Sequence, residues 1–217
     1  RWTNSVGEDH NELLRMSFID IGLSERYVVS SKYWDRHKRR EMTRFVKISQ
    51  LGKLVRRIFY RGSWDLGGRF HGGFWQQISS DMRSYILIDG GRTEELDYSG
   101  LHINLCFGLK KLQPPTSQDR YILDFRLAQL SESEQREVIK ILSLAAINAD
   151  EEVKAFKAAR QKLSVGHPGK KLKDRELKQL LDSFRAKNSA IADCICTDKG
   201  VELMKIDGNI TARVINH

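Results

Sequence analysis

Cysteine is scarce in this 217-residue chain: Cys106, Cys194 and Cys196 make an odd count, and no two of them stand as CxxC. That argues against a disulfide framework and a structural zinc site, and suits a reducing compartment. Long apolar runs are missing too. None approaches the roughly 20 residues that cross a bilayer, and no charged-then-apolar leader opens the chain. The expectation is a soluble, cytoplasmic protein with no membrane partner. There is no low-complexity tract and no internal repeat, and 40% of the residues are hydrophobic, so the chain reads as globular.

Positive charge is plentiful. The net charge is +9 and the pI near 9.5, with Lys and Arg spread along the chain instead of gathered in a tail. Such a balance points to a polyanionic partner, nucleic acid foremost; a solvated basic surface is the alternative. The chain opens on Arg1 and stops at His217 inside "NITARVINH", where a helical pattern carried by Ile210 and Val214 meets no Gly or Pro stop. An excerpt of a longer protein is expected.

Residues 10–29 lack a clean period and read as irregular, with a short helix near Glu12–Met16. From Ser30 to Leu54 the reading is helical. Basic residues Lys32, Arg36, Lys38, Arg39, Arg40, Arg44 and Lys47 are threaded there among Tyr33, Trp34, Phe45 and Ile48. "LVRRIFY" (54–60) is strand-like and leads into "RGSWDLGGRFHGG", where five glycines mark tight turns or close backbone approach. "SYILIDGGRTEELDYS" reads as strands 85–89 and 93–98 around a turn at Asp89-Gly90-Gly91-Arg92. After Pro114-Pro115 the chain turns mostly helical. Ser131 and Glu134 form a capping-box pattern opening a helix over about 132–162. "SVGHPGKKLK" (164–173) reads as a Gly/Pro turn and basic loop, followed by helices over 175–195 and from 201 onward.

"TEELDYSGLHINL" (93–105) sets Asp97 at the end of the second strand, in front of a tight Tyr-Ser-Gly turn. Taken alone, such an acid is most simply a surface residue or a cap for a helix beginning near Gly100. A strand end also fixes a carboxylate rigidly, and the following turn lets the Tyr98 carbonyl face the same ion. Magnesium takes hard oxygen ligands and keeps several waters, so one or two protein carboxylates suffice. On the helix from Glu132, Arg136 and Lys140 stand four apart on one face, continued by Leu144 and Asn148. Two cations at this spacing can grip nucleotide phosphates; the plainer possibility is an amphipathic helix with Arg136 paired to Glu132 and Lys140 in water.

Taken in order, "GGRFHGGFWQQIS…MRSYILI" (67–88), "EELDYSGLH" (94–102) and "EQREVIKILSLAAINA" (134–149) resemble the palm and fingers of family A DNA polymerases and their single-subunit RNA polymerase relatives. The resemblance implies an α/β (α+β) fold: a polymerase-like palm with a small antiparallel sheet, helical fingers and a helix-rich C-terminal half. Its divisions would be an N-terminal helical, basic region (1–66), a palm-like segment with Asp97 (67–130) and a fingers-like region (131–217). It implies template-dependent nucleotidyl transfer from nucleoside triphosphates onto a primer–template of DNA, with RNA left open, using Mg²⁺ or Mn²⁺. Asp97 would be catalytic and, with the Tyr98 carbonyl, would hold the metal. Arg136, Lys140, Leu144 and His102 would line the nucleotide site, and Arg69, Gln76 and Gln77 would meet the primer–template.

The departures are specific. After Asp-Tyr-Ser the family has Gln-Ile-Glu, where this chain has Gly100, Leu101 and His102, so sugar selection stays open; His102 is a gate or a residue bonded to a neighbour. Leu144 stands in the aromatic place of the fingers helix, and Asn148-Ala149 in the Tyr-Gly place. The family's second acid sits in a His-Asp hairpin, and no His-Asp dipeptide follows residue 149. That hairpin is expected beyond residue 217, and this stretch alone is not expected to polymerise. Asp193, Asp198 and Asp207 stand in contexts that fit capping better. A non-catalytic nucleic-acid-binding module on the same scaffold is the alternative, and a helical interaction protein using its charge for solubility is a third, weaker one. A role in replicating a phage or mobile element follows by analogy only.

Overall fold

A computed structural model describes residues 2–3, 14, 17–22, 28–35, 38, 40–115 and 119–215. The short helix expected near Glu12–Met16 lies, apart from Leu14, outside them, as does His217. The architecture is mixed: small antiparallel sheets, then helices alone from Leu101 onward among the described residues. No helix among those residues is long and apolar enough to cross a membrane. The chain forms two compact units, Arg1–Tyr98 with Met204–His217, and Ser99–Leu203.

Among its described residues the first unit holds eight strands: β1 (Trp2–Thr3), β2 (Ile19–Ile21), β3 (Val28–Asp35), β4 (Arg40–Lys47), β5 (Arg56–Tyr60), β6 (Ser63–His71), β7 (Ile86–Ile88) and β8 (Gly91–Arg92). They make sheets β1-β5-β6 and β2-β7-β8 and a two-stranded ribbon β3-β4, all antiparallel. The helix expected over 30–54 is therefore a hairpin followed by a 3₁₀ turn, Gln50–Lys53. The correction has a sequence cause. Val28, Val29, Tyr33, Trp34, Phe45 and Val46 are β-branched or aromatic, residue types that a pleated strand suits better than helix turns. Val29 and Val46, directly opposed, are buried with Ile19, Ile21, Ile48, Phe74 and Ile78.

Two tight turns are present. Arg61-Gly62 joins β5 to β6, and Asp89-Gly90 joins β7 to β8; all four residues have positive φ, as a type I′ hairpin requires. The turn expected over 89–92 is thus only its first two residues: Gly91–Arg92 is the returning strand, and 93–98, expected as that strand, is irregular. Asp97 is thus not at a strand end. The segment leaves the sheet because its early residues bond sideways: Thr93 Oγ1 donates to the Ile86 carbonyl at 3.0 Å, and Arg83 Nε reaches both Glu95 oxygens at 2.9 and 3.0 Å. Arg83 ends a short helix, α1 (Ser80–Arg83).

The other helices are α2 (Leu101–Leu109), α3 (Glu132–Ile147), α4 (Glu152–Lys162), α5 (Asp174–Lys187) and α6 (Gly200–Ile215). The capping box is present: Ser131 Oγ accepts from the Glu134 amide at 3.3 Å, and Glu134 Oε2 accepts from the Ser131 amide at 2.7 Å. The single helix expected over 132–162 is two. The Ala146 carbonyl accepts from the Cys196 amide at 2.8 Å and the Ala149 carbonyl from the Asp198 amide at 2.9 Å, so a distant segment satisfies the groups a longer helix would have used. On α5, Leu177, Leu180, Leu181 and Phe184 are buried at the i, i+3, i+4, i+7 spacing of one helix face. Each such side chain contributes about 1.5–3 kcal/mol on burial.

Candidate functional site

The residues singled out in the sequence divide between the units. Asp97, Tyr98, Arg69, Gln76 and Gln77 belong to the first; His102, Arg136, Lys140 and Leu144 belong to the second.

In the first unit, Leu96, Asp97 and Tyr98 form a short exposed stretch. Its approach is anchored by the Thr93 and Glu95 contacts, beside a cavity of about 300 Å³ walled by Ile19, Trp75, Ile86 and Ile88 among others. Asp97 does not cap the next helix: the N-cap of α2 is Gly100, in the left-handed region, with no side-chain cap bond. The exposed Asp97 carboxylate is open to a ligand. No group of three or more His, Cys, Asp or Glu side chains able to hold a metal comes together among the described residues. The Asp97 carboxylate and the Tyr98 carbonyl are the hard oxygens that this stretch offers.

The glycine-rich segment is built for internal contact. A β-bulge at Gly67-Gly68 breaks the β5-β6 register, and both glycines have φ of +86°. The Gly68 carbonyl accepts from Arg57 Nε at 2.7 Å. The Arg57 guanidinium lies 5.1 Å from the Phe59 ring centroid and 5.6 Å from that of Phe70, and donates to Asn209 Oδ1 at 2.9 Å. Next to it, Arg69 Nε donates to Asp207 Oδ2 at 2.5 Å. Asp207, Gly208 and Asn209 are consecutive on α6, and a Cβ at Gly208 would come within 2.1 Å of the Gly68 oxygen. Strand and helix meet there backbone to backbone. Asp207 is accordingly a partner for Arg69 and not a helix cap. Gln76 closes the turn after β6, accepting from the Gly72 amide and donating to the Phe70 carbonyl, both at 3.0 Å. Gln77 is exposed, and its carbonyl accepts from Arg44 Nη2 at 2.7 Å. Sequence reasoning missed this docking; a glycine inside a helical pattern, as in "KIDGNI", was the available signal.

In the second unit, Arg136, Lys140 and Leu144 are exposed along one side of α3, with Asn148 half-buried at its end. Arg136 is paired, though with Asp119 and not Glu132: its Nε donates to Asp119 Oδ2 at 2.6 Å, and its guanidinium carbon stands 5.7 Å from the Tyr121 ring centroid. Burial pushes the Asp119 carboxyl up, but the Tyr121 amide, the Arg136 guanidinium and the Lys187 charge outweigh it and hold the group below its ordinary value. Against this pair opens a cavity of about 380 Å³, lined by 121–126 with Glu132, Gln135 and Arg136. Its wall is fixed by Gln135, whose Nε2 donates to the Phe125 carbonyl at 2.7 Å while its Oε1 accepts from the Leu127 amide at 2.8 Å. The sequence offered no pattern for this recess, because residues 121–126 form no regular element.

His102 is buried on α2. The turn before that helix is held by Asn104, whose Nδ2 donates to the Ser99 carbonyl at 2.9 Å and whose Oδ1 accepts from Arg120 at 2.7 Å. Comparison with known proteins gives no relative: no family model, no curated protein and no solved structure matches the chain.

Proposed function

We propose that the chain is the palm-and-fingers portion of a template-dependent nucleotidyltransferase, with DNA polymerase as the leading form. The observation that carries the reading is the 380 Å³ recess beside Arg136. It falls in the size range of small-molecule sites, and its guanidinium already binds an anionic oxygen, that of Asp119, which a phosphate can replace. Lys140 and Leu144 extend the same exposed side of α3 for further phosphate charge and for the base. The primer 3′-hydroxyl attacks the α-phosphate, a new P–O bond forms, pyrophosphate leaves, and the hydroxyl proton passes to water. Asp97 and the Tyr98 carbonyl would hold a Mg²⁺ or Mn²⁺ ion, which would supply charge neutralisation for phosphoryl transfer. Exposed Gln77 supports the primer–template side, and basic residues within 32–57 and within 167–173 supply charge for a nucleic-acid backbone. Free cysteines suit a cytoplasmic setting, and replication of a phage or mobile element is the process most in keeping with so compact a polymerase.

A second reading, a nucleic-acid-binding module without catalysis, is favoured by one observation: His102, in the place of the family's sugar-gating residue, is buried on α2. Primer extension by the full-length gene product, with deoxy- and ribonucleotides in parallel and an Asp97→Asn control, separates the two. Extension that disappears in Asp97→Asn supports the transferase. Absence of extension alongside salt-sensitive primer–template binding leaves the binding module.

A further inference from the structure

The two-stranded ribbon carries charge out of proportion to its length. Residues 28–47 contain seven Lys and Arg against two Asp and Glu, a net +5 in a chain of net +9. Its two faces differ. One face is buried at Val29 and Val46 and carries Tyr33 and Arg44, with the guanidinium 5.6 Å from the ring centroid. The other presents the directly opposed pairs Val28 with Lys47, Ser30 with Phe45, and Lys32 with Thr43, and all six residues are exposed. Phe45 is the extreme case at 74% exposure. An aromatic ring this exposed on a pleated face costs hydration free energy that burial against a ligand would recover.

Register places the lysines on either side of that ring. Lys47 is two residues along β4 from Phe45, and Lys32 is opposite Thr43, two residues the other way. Each ammonium-bearing position is therefore about 7 Å from the ring position along the ribbon. The Lys32 ammonium contacts Glu41 at 2.8 Å, with both side chains more than half exposed, a pairing worth too little to hold it against a phosphate.

We infer that this face is a single-stranded nucleic-acid contact, with a base stacked on Phe45 and flanking phosphates held by Lys32 and Lys47. Cation–aromatic–cation spacing is the recurrent chemistry of single-strand grips, because every base offers a π-face and every linkage a charge. A duplex offers no free base face to the ring. The inference rests on the proposed function only in taking nucleic acid as the polyanion, and it places unpaired template or primer strand on the ribbon.

The test is fluorescence anisotropy of labelled oligo(dT) and of a blunt duplex, titrated without nucleotide so that catalysis plays no part. Phe45→Leu, still apolar but without a π-face, should weaken oligo(dT) binding about tenfold or more, while Phe45→Trp should retain it. Lys32→Gln with Lys47→Gln should reduce the slope of log affinity against log salt by about 1.4, two phosphates' worth for a single strand. Unchanged oligo(dT) affinity in Phe45→Leu overturns the proposal, as does tighter binding of the duplex that is indifferent to residue 45. Loss of extension with ribbon binding intact would instead count against the transferase alone.

Discussion

The two compact units are held together by different means. The helical unit, Ser99–Leu203, buries a run of aliphatic and aromatic side chains, Val138, Leu142, Leu177, Leu180, Leu181 and Phe184 among them. The strand-bearing unit has smaller apolar clusters, one of them reduced to Val55, Phe70 and Ala212, and adds arginine contacts and glycine approaches around Arg57, Gly68 and Gly208. Non-directional burial tolerates adjustment, whereas a backbone-on-backbone contact does not. The two units should therefore fail in different ways when perturbed.

The largest expected effect is chemical. Asp97→Asn keeps the exposed 93–98 segment folded and should remove nucleotide incorporation by several orders of magnitude while leaving primer–template affinity within a factor of two; primer extension and anisotropy together check this. Arg136→Ala should weaken nucleotide binding by tenfold or more, read by competition with a fluorescent nucleotide. It also deprives Asp119 of its partner, so a melting curve must accompany it.

Stability comes next. Leu180→Ala in α5 should cost about 2–5 kcal/mol, seen by urea denaturation, because it opens a cavity among fully buried neighbours. A matched pair of glycine substitutions contrasts the units directly. Gly108→Ala, in a helix of the second unit where a new Cβ meets nothing within 4 Å, should stabilise by about 0.5–1 kcal/mol. Gly208→Ala, at the Gly68 carbonyl, should destabilise by about 1–3 kcal/mol despite the better helix propensity of alanine. Equal signs for the two would mean that α6 and β6 are not in backbone contact. Ser131→Ala should cost about 1 kcal/mol by removing one half of the capping box.

The smallest effect is on pH. Asp119 is held below its ordinary value as described, and Glu152 is too, chiefly by Arg185, with burial opposing and Lys178 assisting. A carboxyl lowered in the folded state stabilises above its unfolded value, near 4, and the gain is lost as pH falls through the folded value. Melting temperatures of the helical unit should hold from neutral pH to about 4 and decline below it. Replacing Glu152 with Gln should flatten that decline.

Much of the helical unit was legible. The Ser131–Glu134 box and the apolar period of α5 are local, and α3, α5 and α6 begin close to where their patterns do. The helix ends were not legible: α5 stops at Lys187, before the expected 195, and α3 stops at Ile147, where the segment at Cys196–Asp198, about fifty residues away, satisfies the carbonyls. In the strand-bearing unit a turn at Asp89-Gly90 was legible because positive φ selects residue type. The ribbon was not, because the cations of 30–54 suggest a helical charged face while its β-branched and aromatic residues sit in adjacent pairs and show no strand alternation. For the candidate site, the exposed side of α3 was anticipated at Arg136, Lys140 and Leu144, but the Asp119 partner and the recess were not.

By itself the sequence determined the elements whose causes are local: capping, helix period, two-residue turns, and a positive charge concentrated within residues 28–47. Tertiary structure alone decided that Asp97 stands exposed on irregular backbone, that Arg69 answers to Asp207, and that Arg136 pairs with Asp119 beside a cavity. The reason is range. A hydrogen bond within a turn is encoded by neighbours in the chain, but a guanidinium reaches whichever carboxylate the packing of distant segments delivers to it.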